Sequence, residues 1–157
     1  MLKPLLLQPS RLVAICVTAS AVSLTAIGAD LPATAIIDDC AYATDASAAV
    51  WKPMEGSPAP QIAEVAGVKA LRLRCNYSSN DGDRAYWQQA KKLDLSDGDG
   101  IEFKILCRNT LPVTFFSIYF QSGTGWYHSD FFPESKGDWN TVSIKKSAMG
   151  AEGKAAG

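Results

Sequence analysis

The chain is poor in the side chains that most often do chemistry: 157 residues hold one histidine, His128, and four cysteines, Cys16, Cys40, Cys75 and Cys107. A single imidazole leaves one side chain that titrates near neutrality without help, and nothing in the sequence sets a thiol beside it. The cysteine spacings fit no zinc site. An excess of either charge is missing too, since 15 Lys and Arg stand against 16 Asp and Glu, for a net charge of −1. Nucleic-acid binding is supported by a basic excess, so that class of partner is set aside. No solenoid-type repeat occurs. The runs Asn80 to Asp83 and Asp97 to Gly100 alternate carboxylates with glycine, but neither has the distal glutamate of an EF-hand, and both read as turns.

Long apolar runs are equally scarce. The longest, Leu12 to Ile27, falls short of the roughly 18 to 20 residues a bilayer span needs. Lys3 and Arg11 flank it, and it ends in the small residues Ala26, Gly28 and Ala29. That is the pattern of a signal peptide, residues 1–29, cut near Ala29. Ile15 stands where lipid attachment at Cys16 would want a small residue. The expectation is a secreted or periplasmic protein with no membrane attachment after cleavage. The rest is one domain, residues 30–147, followed by a truncated or disordered Ala- and Gly-rich tail, 148–157. Every acidic residue lies at or beyond Asp30, so this part is mildly acidic.

What is abundant is strand pattern. Thr34 to Ile37 reads as a short strand, Trp51 to Pro60 as a surface loop, and Gln61 to Glu64 with Ala70 to Tyr77 as a hairpin closed near Gly67. Arg84 to Lys92 also reads as strand, as do Ile101 to Cys107, Val113 to Gln121, Trp126 to Phe132 and Trp139 to Ile144. Alternation puts Leu71 and Leu73 inside and Arg72 and Arg74 outside. Cys75 and Cys107 fall on apolar sides. Three cysteines after the leader allow one disulfide and leave one thiol; Cys75–Cys107 is one pairing among those open.

Sugar binding asks for aromatic faces to stack on a pyranose and planar polar groups for its hydroxyls. Phe116, Ile118 and Phe120 form one side of their strand, and Phe115, Ser117, Tyr119 and Gln121 the other; in the next strand Trp126, His128 and Asp130 oppose Tyr127, Ser129 and Phe131. Period alone leaves open which side of the latter strand meets solvent. The candidate ligand-binding residues are Trp51, Arg84, Tyr86, Trp87, Tyr119, Gln121, Trp126, His128 and Asp130. Trp139 is assigned to packing.

The runs Leu93-Asp-Leu-Ser, Gly100-Ile-Glu-Phe, Phe116-Ser-Ile-Tyr-Phe, Trp126-Tyr127 with Phe131, and Gly137-Asp-Trp-Asn-Thr-Val-Ser-Ile resemble the jelly-roll modules of galactose-binding-like topology. These include carbohydrate-binding modules of bacterial polysaccharide-degrading enzymes and the similar domain of complex I intermediate-associated proteins. The resemblance implies an all-β antiparallel sandwich, here lacking its last strand or strands, and a non-catalytic module that binds a polysaccharide or oligosaccharide, as an accessory to other domains of a longer parent. It also implies a structural calcium ion between the two chain ends, for which Asp38 and Asp39 are the available donors. The alternatives are a structural or protein-interaction sandwich without glycan binding, and a jelly-roll polysaccharide lyase using Tyr127, His128, Arg84 and Gln121. The lyase suffers from the opposite facing of Tyr127 and His128.

Overall fold

A computed structural model of the protein describes residues 13–16, 35–75, 84–111 and 113–156. Its described part is mostly β, arranged in antiparallel sheets. In chain order the elements are β1 (Val13–Cys16), α1 (Asp45–Ala48), β2 (Trp51–Met54), β3 (Gln61–Val65), β4 (Val68–Leu73), β5 (Tyr86–Gln89), β6 (Gly100–Cys107), β7 (Phe116–Ser122), β8 (Thr124–Phe131), β9 (Trp139–Lys145), a 3-10 turn (Lys146–Ala148) and β10 (Gly150–Lys154). They form a five-stranded sheet in the order β3-β4-β1-β6-β9, a three-stranded sheet β10-β8-β7, and a two-stranded sheet β2-β5.

Local chemistry explains the hairpins. Val65 pairs with Val68 across a two-residue turn, Ala66-Gly67, and both turn residues have positive φ, 52° and 76°. Two left-handed residues in succession match the twist of the flanking strands. Between β7 and β8, Ser122 pairs with Gly125, and Gly123 takes a φ of 62° at the first loop position. Gly100 is required for another reason: a Cβ there would lie 2.3 Å from the Ile144 carbonyl oxygen on β9.

Alternation along β4 and β6 makes the interior. Leu71 and Leu73 are buried, Arg72 is half-buried and Arg74 is exposed. Phe103, Ile105 and Cys107 of β6 form a cluster with Ile144 of β9, on which Phe116 and Ile118 of β7 and Phe131 of β8 pack. Phe103 meets Phe131 edge-on at 5.1 Å, and Phe131 stacks on Phe116 at 5.7 Å. Side chains of β7 and β8 thus pack against side chains of β6 and β9. A second cluster gathers Cys40, Ala48, Ala70, Leu71 and Leu73, with Tyr42, Trp51, Ile62, Trp87 and Trp139 around it.

Several expectations are corrected. Residues 35–37 are not strand, and Thr34 lies outside the described residues, as do the cleavage position near Ala29 and the turn at 80–83. Trp51 to Met54 is the strand β2 and no loop; Pro53 fits because this sheet has only two strands, so each has an outer edge needing no donor. The segment 148–157 is not a loose tail, since Gly150 to Lys154 pairs with β8 over five residues. Val13–Cys16, in the segment expected to be a leader, form β1, antiparallel to both neighbours, with Val13 opposite Leu73 and Cys107, and Ile15 opposite Leu71 and Ile105. The Cys75–Cys107 bridge is not made: Cys107 is a buried thiol whose Sγ donates to the Asn109 carbonyl at 3.4 Å. Burial pushes that thiol's pKa up.

Candidate functional site

The register of β7 against β8 decides which candidate side chains meet. Gln121 is opposite Trp126, Tyr119 opposite His128 and Ser117 opposite Asp130. Directly opposed residues share a face. Because Phe116, Ile118 and Phe131 pack inward, the other parity faces out, and Tyr119, Gln121, Trp126 and Asp130 are all exposed while His128 is half-buried. Tyr119 is 48% exposed and Trp126 36%, enough to offer ring faces to a ligand. Tyr119 stacks on the His128 imidazole at 5.1 Å, nearly parallel, and meets Trp126 edge-on at 6.2 Å. Ser117 Oγ donates to Asp130 Oδ1 in a short hydrogen bond that fixes the carboxylate at the end of the ring row. The five sequence candidates on these two strands therefore converge on one surface.

β10 extends that surface with residues the sequence reading missed. Glu152 is opposite Trp126 and Gly150 opposite His128. Glu152 is exposed. A Cβ on Gly150 would stand 3.4 Å from His128 Nε2, so the missing side chain keeps the imidazole edge open. The other ring nitrogen, Nδ1, is buried without a hydrogen-bond partner among the described residues. Period-two parity would have found Glu152 had the last segment been read as a strand; its Gly and Ala content hid it.

The remaining candidates lie elsewhere. Trp51 and Trp87 share a face of the two-stranded sheet, since Trp51 is opposite Gln89 and Pro53 opposite Trp87, and both pack on the second core cluster. Their donors are used inside the protein: Trp51 Nε1 donates to Asp38 Oδ2 and to the Tyr42 hydroxyl, each at 3.1 Å, and Trp87 Nε1 to the Pro58 carbonyl at 2.7 Å. Both are structural in this arrangement. Arg84 makes a two-pronged ion pair with Glu55, Nε and Nη2 each 2.9 Å from a carboxylate oxygen, and its guanidinium lies 5.1 Å from the centre of the Tyr86 ring. Tyr86 in turn donates to Glu55 Oε1. The guanidinium hydrogen bond holds the Glu55 carboxyl below its usual range. Trp139 is half-buried against the second cluster, as its assignment to packing expects.

Asp38 and Asp39 act as hydrogen-bond acceptors. Asp38 Oδ1 accepts the Cys40 amide, and Oδ2 accepts both the Tyr42 hydroxyl and the Trp51 indole. Asp39 Oδ1 accepts the Ala41 amide. With both Asp38 oxygens engaged, this pair is a turn and core anchor where calcium donors had been expected. No group of three or more His, Cys, Asp or Glu suited to a metal ion occurs among the described residues. Burial, reinforced by the Asp38 bond, raises the Tyr42 phenol well above its ordinary pKa.

No protein-family model, curated protein or solved structure matches the chain.

Proposed function

We propose that the protein is a non-catalytic carbohydrate-binding module, exported to the periplasm or beyond, on a sandwich of galactose-binding-like jelly-roll type. The observation that carries the reading is the outward row of Tyr119, His128 and Trp126, flanked by Gln121 and Asp130. Flat rings stack on the C–H face of a pyranose, and the amide and carboxylate offer planar hydrogen-bonding groups for its hydroxyls. The interlocking of Phe103, Phe116 and Phe131 between two sheets supports the sandwich. Against a lyase, Arg84 lies just before β5, off the three-stranded sheet, and is held by Glu55, while Tyr127 and His128 point to opposite faces. Affinity electrophoresis of the full chain through polysaccharide gels tests the reading. Tyr119→Ala and Trp126→Ala are each expected to weaken retention about tenfold or more, equivalent to ~1.4 kcal/mol. Retention unaltered by both substitutions overturns it.

A protein-interaction module is the second reading, and one observation favours it: Phe115 and Phe132, 58% and 47% exposed, stand just before β7 and just after β8, beyond the Ser117–Asp130 row. Exposed aromatic side chains at the end of a sheet are also how a protein partner is met. This reading expects no retention by any polysaccharide.

A further inference from the structure

The outward face of the β10-β8-β7 sheet is longer along its strands than across them. Its three cross-strand rows, Gln121 with Trp126, Tyr119 with His128 and Ser117 with Asp130, span about 14 Å at the usual rise per residue, whereas the three strands span about 10 Å. The rings therefore form a stripe that runs with β7 and β8. Its charge is one-sided where the rings are. Glu152 stands directly across from Trp126, and Asp130 closes the opposite end of the row. The cation on this face, Lys154, is opposite Thr124, one row beyond Trp126 and away from Tyr119 and His128. Arg84, the guanidinium that could have neutralised an acidic sugar, is committed to Glu55, beside the ends of β2 and β5.

Granted the glycan-binding reading above, on which this rests, we propose that the face takes an internal stretch of a linear, uncharged polysaccharide lying along β7 and β8, and that Glu152 selects against polymers carrying carboxylate or sulfate groups. A neutral sugar presents hydroxyl donors that Glu152 and Asp130 can accept, while its ring stacks on Trp126 or Tyr119. A uronate or sulfated residue at the same place sets like charge against like. At about 4 Å in water that repulsion alone is worth about fivefold in affinity. Gly150 contributes by leaving the His128 edge uncovered, so that the chain of sugars can pass over the middle of the stripe.

The test compares the full chain and its Glu152→Gln variant on native gels containing neutral β-glucan, xylan or mannan, or containing alginate or pectate. Asp97→Asn, an exposed turn residue away from these strands, serves as a charge-matched control. At least one neutral polymer is expected to retard the wild type at least fivefold more strongly than either acidic one. Glu152→Gln is expected to narrow that ratio severalfold and Asp97→Asn to leave it unchanged. Affinity for soluble oligomers of the retained polymer is expected to rise from the monosaccharide to the tetrasaccharide. Acidic polymers bound as well as neutral ones, a ratio indifferent to Glu152→Gln, or equal narrowing by Asp97→Asn would each overturn the selectivity while leaving glycan binding intact. Retardation by neither class, with Trp126→Ala migrating like wild type, takes down the glycan-binding reading itself.

Discussion

Two aromatic regions of this molecule look alike in sequence and differ in structure. The two-stranded sheet carries Trp51, Tyr86 and Trp87 beside Arg84; the three-stranded sheet carries Tyr119, Trp126 and His128 beside Gln121 and Asp130. Each has rings interleaved with hydrogen-bonding groups. In the first, the indole donors end on Asp38, Tyr42 and Pro58 inside the protein, and the guanidinium ends on Glu55. In the second, the Trp126 indole N–H makes no hydrogen bond among the described residues and the side chain is exposed. Trp51 and Trp87 spend their N–H groups on the protein, whereas the exposed Trp126 keeps its own for a ligand. For these three tryptophans, burial and the fate of the donor go together; Trp139 packs with its Nε1 unpartnered among the described residues.

The contrast can be broken most severely from the interior. Leu71→Ala removes a side chain that is 1% exposed and is expected to cost about 2–5 kcal/mol, read as a lower midpoint in urea. A loss below 1 kcal/mol would mean that the five-stranded sheet is not packed as described. Tyr42 gives the next largest effect and a pH signature. Its phenol is raised in the folded state, so the unfolded chain releases that proton first, at about pH 10. Above that pH the unfolded state binds fewer protons, and the stability gained from the neutral phenol declines as pH rises towards the folded-state value. Tyr42→Phe is expected to flatten this decline relative to wild type, and to cost about 1 kcal/mol at neutral pH through the lost bond to Asp38. Denaturation series at pH 7 and at higher pH check both.

Trp126→Ala sharpens the comparison from the other side. Its effect on stability is expected to stay within about 1 kcal/mol, chiefly the edge-on contact with Tyr119, while glycan retention falls. Trp51→Ala should do the reverse, unfolding at lower denaturant because Asp38 and Tyr42 lose their shared donor. Smallest is Ala66→Asn. Alanine sits there at a φ of 52°, a conformation asparagine tolerates better, so a gain of about 0.5–1 kcal/mol is expected in thermal unfolding.

Much of the β arrangement was legible because period-two alternation is written residue by residue. Leu71 and Leu73 against Arg72 and Arg74 needed no tertiary information, and the hairpin around Gly67 followed from turn chemistry. The pairing of Tyr119 with His128 needed the length of the turn at Gly123, which fixes register; once that is known, the shared face follows. Less could be read where composition and placement diverge. Gly150-Ala-Glu-Gly-Lys154 has poor strand propensity and forms β10 through its backbone alone, and with it came Glu152. Trp51 and Trp87 resembled surface rings because a local pattern cannot show that Asp38, Tyr42 and Pro58 stand ready to receive their donors. Asp38 and Asp39 looked like cation ligands for the same reason.

The place of Val13–Cys16 means that loss of this segment would change the architecture. β1 runs antiparallel to both β4 and β6, so those two strands point the same way and are kept one strand apart. A peptidase cutting near Ala29 would withdraw the keystone between them. Direct closure would then require a parallel ladder with slanted bonds, which is the weaker pairing; otherwise two bare edges would wait for a replacement strand. A chain without residues 13–16 would thus differ at the centre of the five-stranded sheet, while the ring-bearing face, built from β7, β8 and β10, would keep its register.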